Sequence, residues 1–236
     1  MKKIIVSLVM VIIVFGAFAK KKKDTAEFQL ILDDSQFETE EAQIAYANSI
    51  SGDVLTILPS LYASVASMGK DFTPIMVEFQ SAKEDIAYAN EIMLQALDLR
   101  KDVVAAQAAT DAAAAGNAGQ VMTEKSAEAE ARLQEMADNK TELSELQKAW
   151  MKAGLMRMGS AVIRETALVV AVKQYTDNSK SLKGIAKTKE AKNLAAAASM
   201  AAEIPTMLSQ QGNTLKNLLA IASVNNIEVP AEIKLP

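Results

Sequence analysis

The chain has neither histidine nor cysteine among its 236 residues, and these two absences remove most catalytic designs at once. Serine triads built on histidine, cysteine nucleophiles, His- or Cys-based zinc sites, haem ligation through histidine and the Glu-x-x-His di-iron motif are all excluded. Without cysteine there is no disulfide and no lipidated-cysteine anchor. Glycine-rich phosphate loops are missing as well. What chemistry remains is that of carboxylates or of a Ser/Lys pair, and no spacing singles either out. Accordingly no catalytic residue, no cofactor-binding residue and no metal ligand is assigned, and the chain reads as not an enzyme.

Glycine and proline are scarce, 9 and 5 residues, against abundant Ala, Glu, Lys, Leu and Met, a composition of helices rather than of turns and strands. Aromatics make up only 5% of the chain while there are 12 methionines, so the expected core is aliphatic and methionine-filled. The formal charge is −4, unevenly spread. Residues 24–102 hold 15 acids and 4 bases, whereas residues 148–192 hold 10 bases and 3 acids. The expectation is intramolecular pairing of an acidic first half with a basic second half. A nucleic-acid face is not expected, because interleaved aromatics and net positive charge are both lacking.

Residues 1–19 carry Lys2-Lys3, an apolar run from Ile4 to Phe15 and small residues at Ala17 and Ala19, the three regions of a secretory signal. Four lysines follow directly, Lys20 to Lys23, as in the flank of a retained anchor whose stems snorkel to lengthen a short span. The primary expectation is cleaved export, periplasmic or secreted; the alternative is membrane contact through residues 4–19.

The rest of the chain is expected to be all-α: an elongated antiparallel bundle of five to six helices built on a long helical hairpin, residues 73–175. Residues 20–38 read as an acidic linker, 39–226 as the bundle and 227–236 as an extended tail. In the first arm Thr73 is the expected cap and Pro74 the first helical residue. From there Ile75, Phe79, Ala82, Ile86, Ala89, Met93 and Ala96 form a coiled-coil-like seam, with Glu78, Lys83, Glu84, Asp85, Glu91, Arg100 and Lys101 on the other faces. The arm thins into alanines and ends at the tip Gly116-Asn117-Ala118-Gly119. The second arm runs unbroken from Ala127 to Tyr175, with bends expected at Gly154 and Gly159. Before the hairpin, one helix is expected to end at Ser51-Gly52 and another to start at Asp53, with Pro59 kinking it or marking its beginning. After it, Pro205 is expected to break the alanine-rich stretch 187–203 from a last helix, 206–224.

Several residues invite a functional reading that weighs less than the plain one. Asp33, Asp34 and Glu38 lack the order of a calcium loop. Glu128, Glu130, Glu135, Glu142 and Glu145, mixed with Lys125, Arg132, Lys140 and Lys148, resemble a solvated face. Arg164 and Glu165 interrupt an apolar segment and are expected to point outward or pair with a neighbouring helix. Trp150 with Met151, Met156 and Met158 reads as core before ligand pocket, and the sequon Asn139-Lys140-Thr141 carries little weight. The functional expectation is an exported interaction or structural protein of the bacterial cell envelope, with a protein partner or self-association through helical faces. Two alternatives stand: a membrane-active, pore-forming-like hairpin with its tip at residues 103–121, and a helical ligand-binding domain around Trp150.

Overall fold

In the computed structural model the described residues are 30–113, 118–180 and 185–236. The expected signal, the basic cluster 20–23 and the tip residues Gly116 and Asn117 lie outside them. Six helices occupy the described residues, with no strand among them: α1 (Glu40–Ala66), α2 (Phe72–Ala96), α3 (Arg100–Ala113), α4 (Ala118–Asn139), α5 (Glu145–Ser179) and α6 (Ile185–Val224). The all-α expectation holds in this form.

Helix α5 is the axis. It starts from a capping box in which the Ser144 hydroxyl accepts from the Gln147 N–H while the Gln147 side chain accepts from the Ser144 N–H. Its 35 residues span about 52 Å at 1.5 Å per residue. It is enclosed by α1, α2 and α6, and its buried residues, from Trp150 through Met158, Leu168 and Tyr175, point in all these directions. Helix α1 runs parallel to α5: Tyr46 meets Trp150 edge-on at 6.0 Å, and Gly69 beyond its end lies against Gln174. Helix α2 runs antiparallel, from Phe72 on the Tyr175 ring at 5.4 Å to Met93 against Gly154. Helix α6 is also antiparallel, from Glu190 beside Tyr175 to Asn225 beside Leu143.

The expected two-arm hairpin is corrected. The first arm stops at Ala96 and the second is interrupted after Asn139, so four helices stand where two were expected. Both breaks occur at non-glycine residues with positive φ, Asp98 at 57° and Lys140 at 51°, and the end of α6 uses Asn226 at 54°. Each closes with the same six-residue hydrogen bond: Leu99 N–H to Leu94 O (2.8 Å), Thr141 N–H to Met136 O (3.0 Å) and Ile227 N–H to Ala222 O (2.9 Å). These are Schellman closures, which satisfy orphan carbonyls at a helix end. Helices α3 and α4 then pair antiparallel, with Arg132 donating to the Leu97 carbonyl (3.2 Å) and Lys125 bridging to Asp102 (2.7 Å).

Other expected boundaries disappear. Helix α1 runs through Ser51-Gly52 and Pro59, because its buried stripe Ala47, Ile50, Val54, Leu58, Leu61 and Val65 is continuous across both. Several buried side chains at roughly 1.5–3 kcal/mol each outweigh about 1 kcal/mol for a helical glycine and about 3 for a proline. Helix α6 passes Pro205 for the same reason, carried by Ala197, Met200, Ile204, Met207, Leu215 and Leu218. The cap of α2 is Asp71, whose carboxylate accepts from the Thr73 N–H at 3.3 Å, so Pro74 sits inside the first turn. Neither Gly154 nor Gly159 ends α5; both are places where a neighbour comes close. A Cβ on Gly159 would lie 2.6 Å from Ile233 Cδ1, so the tail 227–236 is seated along α5 with Ile233 buried.

Candidate functional site

Three buried polar clusters carry the chemistry of the molecule, and each is built from residues that the periodic pattern places on outer faces. The first clasps the segment before α1. Glu91, at the end of α2 where Glu91, Ile92, Met93 and Leu94 are all buried, accepts from two successive backbone N–H groups with different oxygens, Ile31 to Oε2 (2.6 Å) and Leu32 to Oε1 (3.2 Å). Arg100 then donates through Nε to Glu91 Oε1 (2.6 Å), through a terminal nitrogen to the Leu32 carbonyl (3.1 Å) and through the other to Asp34. Its guanidinium also lies 5.1 Å from the Phe37 ring, which stands edge-on to Trp150 at 5.8 Å. Segment 30–37 is thus a strap rather than a free linker. Asp33 caps the short 3-10 turn Asp34–Gln36 by accepting from the Ser35 N–H at 3.0 Å, and the Ser35 side chain together with that N–H holds its carboxyl below the usual range.

The second cluster joins α2 to α5. Asp85 accepts from Arg157 (3.0 Å), the Ser160 hydroxyl (2.7 Å) and Arg164 Nε (3.2 Å), and Arg164 reaches on to Glu78. Arg157 also stacks 4.6 Å above the Tyr88 ring, and burial pushes the Tyr88 hydroxyl up. Two acids face two guanidiniums, so the expected acidic–basic pairing exists here and the charges are used internally. Arg164 is therefore not outward-pointing but spans two acids of α2.

The third cluster is Glu165, fully buried on α5. Its Oε1 accepts from Gln211 Nε2 at 3.0 Å. Burial pushes this carboxyl up to about 8; the Gln211 hydrogen bond opposes the rise, Glu203 adds to it and Lys83 opposes it. Lys83 and Glu203 pair with each other at 2.9 Å.

No family model, no curated protein and no solved structure matches this chain.

The remaining candidates resolve one by one. Trp150 is buried under Phe37 and Tyr46, and Met151, Met156 and Met158 are core, so the aromatic site is filled by the chain's own side chains. Glu128 pairs with Lys125 and Arg132, and Glu145 with Lys148, while Glu135 and Glu142 are exposed. Glu130 departs from this solvated face: it is half-buried, and burial pushes its carboxyl up. It borders a cleft between α2, α4 and α6 lined by Asn90, Met93, Leu133 and Thr214, with room for about one water molecule. Among the described residues no group of three or more acidic side chains is placed to hold a metal ion; Asp34 is taken by Arg100. The sequon Asn139-Lys140-Thr141 spans the last residue of α4 and the turn that follows it. Of the expected tip, side chains are described only at its two bases, where Val103 and Met122 are buried.

Sequence reasoning missed Asp85, Glu91 and Arg100 as buried groups. The available signal was the run Ile92-Met93-Leu94 beside Glu91: three consecutive large apolar residues mean that a helix is enclosed on all sides there.

Proposed function

We propose that this is an exported, non-enzymatic helical-bundle protein that serves as an interaction or structural component of the bacterial cell envelope. The outer face of α1 is what supports the reading most. Residues 54–69 hold no charged side chain, yet Leu55, Ile57 and Tyr62 are exposed there. The helical part of this stretch, residues 54–66, is a face about 20 Å long without a charge, which is unusual for a surface that meets only water, and such faces mark contact with a partner. The secretory pattern at residues 1–19 supplies the address. The polar clusters support a scaffold role, since their charges bind one helix to another.

The test is a photo-crosslinking residue in place of Tyr62 in the full chain, expressed in a bacterial host and irradiated in intact cells. A discrete protein adduct, lost when Leu55→Glu is added, is the expected result. No adduct at Tyr62, or adducts no more frequent there than at charged control positions on α4, overturns the reading. The intact mass of the protein from separated membrane and soluble fractions tests the address: a soluble species beginning at Lys20 is expected.

One observation favours a second, membrane-active reading. Helix α1 is long and apolar enough, by length and composition, to cross a membrane, and only 33% of its most apolar 18 residues are buried. Leakage of dye from vesicles with anionic lipid, abolished by Tyr62→Glu, would replace the first reading with this one.

A further inference from the structure

Glu165 lies at the junction of α5 and α6, and its hydrogen bonding is incomplete in a specific way. Gln211 Nε2 donates to Glu165 Oε1 at 3.0 Å. Left over are Glu165 Oε2 and Gln211 Oε1, both buried and both without a partner. As an ionised carboxylate, Glu165 has only acceptors, so two orphan acceptors would be sealed in the buried α5–α6 interface, each costing free energy. One proton on Oε2 removes both defects. The carboxyl then donates to the amide oxygen while accepting from the amide nitrogen, and the two planar groups close a ring of two hydrogen bonds. We propose that Glu165 is held as a neutral carboxylic acid and that, paired with Gln211, it forms a proton-operated latch fastening α6 to α5.

The surrounding charges agree. From α6 the facing acid is Glu203, and from α2 the facing cation is Lys83. These two pair with each other, so the attraction of Lys83 is offset by the repulsion of Glu203 and burial favours the neutral form at Glu165. Glu203 and Gln211 lie on either side of Pro205, which has no backbone N–H to give to the helix. Ionisation would therefore place a buried negative charge near Glu203.

The sign of the pH dependence follows. The folded-state pKa of Glu165 is raised, to about 8, so its stabilisation is fully present below the ordinary carboxylate range and is lost as pH rises through about 8. Between those limits the folded chain holds one proton more than the unfolded chain, and the folding equilibrium constant falls roughly tenfold per pH unit from this group.

The test compares the full chain with Glu165→Gln, whose side-chain amide supplies the same donor at every pH. Chemical unfolding of both is measured from pH 5 to pH 9.5. The ratio of the wild-type to the variant folding constant is expected to fall roughly tenfold per pH unit between pH 5 and pH 8. A ratio that stays constant across the range overturns the proposal. Should the variant not fold, carboxyl-carbon NMR of the glutamate-labelled wild-type chain decides. One glutamate resonance at the protonated position at pH 7 supports the latch; all of them at the ionised position refute it.

Discussion

Adding a single methyl group at Gly159 tests whether the C-terminal tail is part of the folded core. A Cβ built there lies 2.6, 2.7 and 2.8 Å from Cδ1, Cγ1 and Cγ2 of Ile233. The conflict involves the whole side chain rather than its flexible end, and a β-branched residue has little freedom at χ1 to move aside. Overpacking of this kind costs about 1–3 kcal/mol, and expelling Ile233 instead forfeits about 1.5–3 kcal/mol of burial. Against this stands a gain of about 1 kcal/mol for replacing glycine in a helix interior. Gly159→Ala should therefore destabilise the protein by about 1 kcal/mol net. Ile233→Ala removes the three conflicting carbons, and in that background the same Gly159→Ala change should stabilise by about 1 kcal/mol. The sign reversal is the signature. Gly52, also in a helix interior, meets nothing within 4 Å of an added Cβ, so Gly52→Ala gives the propensity gain alone and serves as the control. The assay is urea unfolding followed by circular dichroism and by the fluorescence of Trp150. If Gly159→Ala stabilises the wild type as much as it does Ile233→Ala, the tail does not lie on α5 and the argument fails.

Two further outcomes are expected. Glu91→Ala leaves Arg100 buried without its main partner and frees the Ile31 and Leu32 amides; the loss should be about 3–5 kcal/mol, with those two amides exchanging far faster by NMR, and unchanged exchange would mean that the strap is held by Phe37 alone. Lys140→Gly should stabilise by about 1 kcal/mol, since φ is 51° there and a side chain in the left-handed region costs about 1–2 kcal/mol, partly offset by the looser unfolded chain; a destabilised variant would argue against the turn that closes α4.

The periodic core was plain from the sequence, because burial imposes a 3.6-residue period whatever the partner. Ile75, Phe79, Ala82, Ile86, Ala89, Met93 and Ala96 are all buried, and so, along the expected second arm, are Leu133 of α4 and Trp150, Met158, Leu168 and Val172 of α5. Helix ends were much less legible. Glycine and proline are the compositional stop signals, but at Gly52, Pro59 and Pro205 continuous apolar stripes override a local cost of about 1–3 kcal/mol. The real stops at Asp98 and Lys140 are left-handed residues with no compositional mark. At Asp98 the closure is favoured by tertiary burial: Leu94 and Leu99, which flank it, are both in the core. The polar clusters were hidden for a related reason. A charged residue next to a seam looks solvated until it is known that a third element, here the strap or α5, covers it. Nothing in the spacing of Glu91 and Arg100 announces that residues 31–34 will return to them.

The enclosure of α5 has a consequence for how the chain comes off the ribosome. Helix α1 packs chiefly on α5, yet the two are separated by the whole of α2, α3 and α4. At synthesis rates of about 5–20 residues per second, Val54, Leu58, Leu61 and Val65 wait on the order of 5–20 s for the surface that buries them. Long-range closure of this kind also slows folding relative to a bundle of sequence-adjacent helices. For most of its translation the chain is thus a set of uncovered amphipathic helices, a state in which it needs protection from aggregation and in which it is still loose enough to be threaded through a narrow channel.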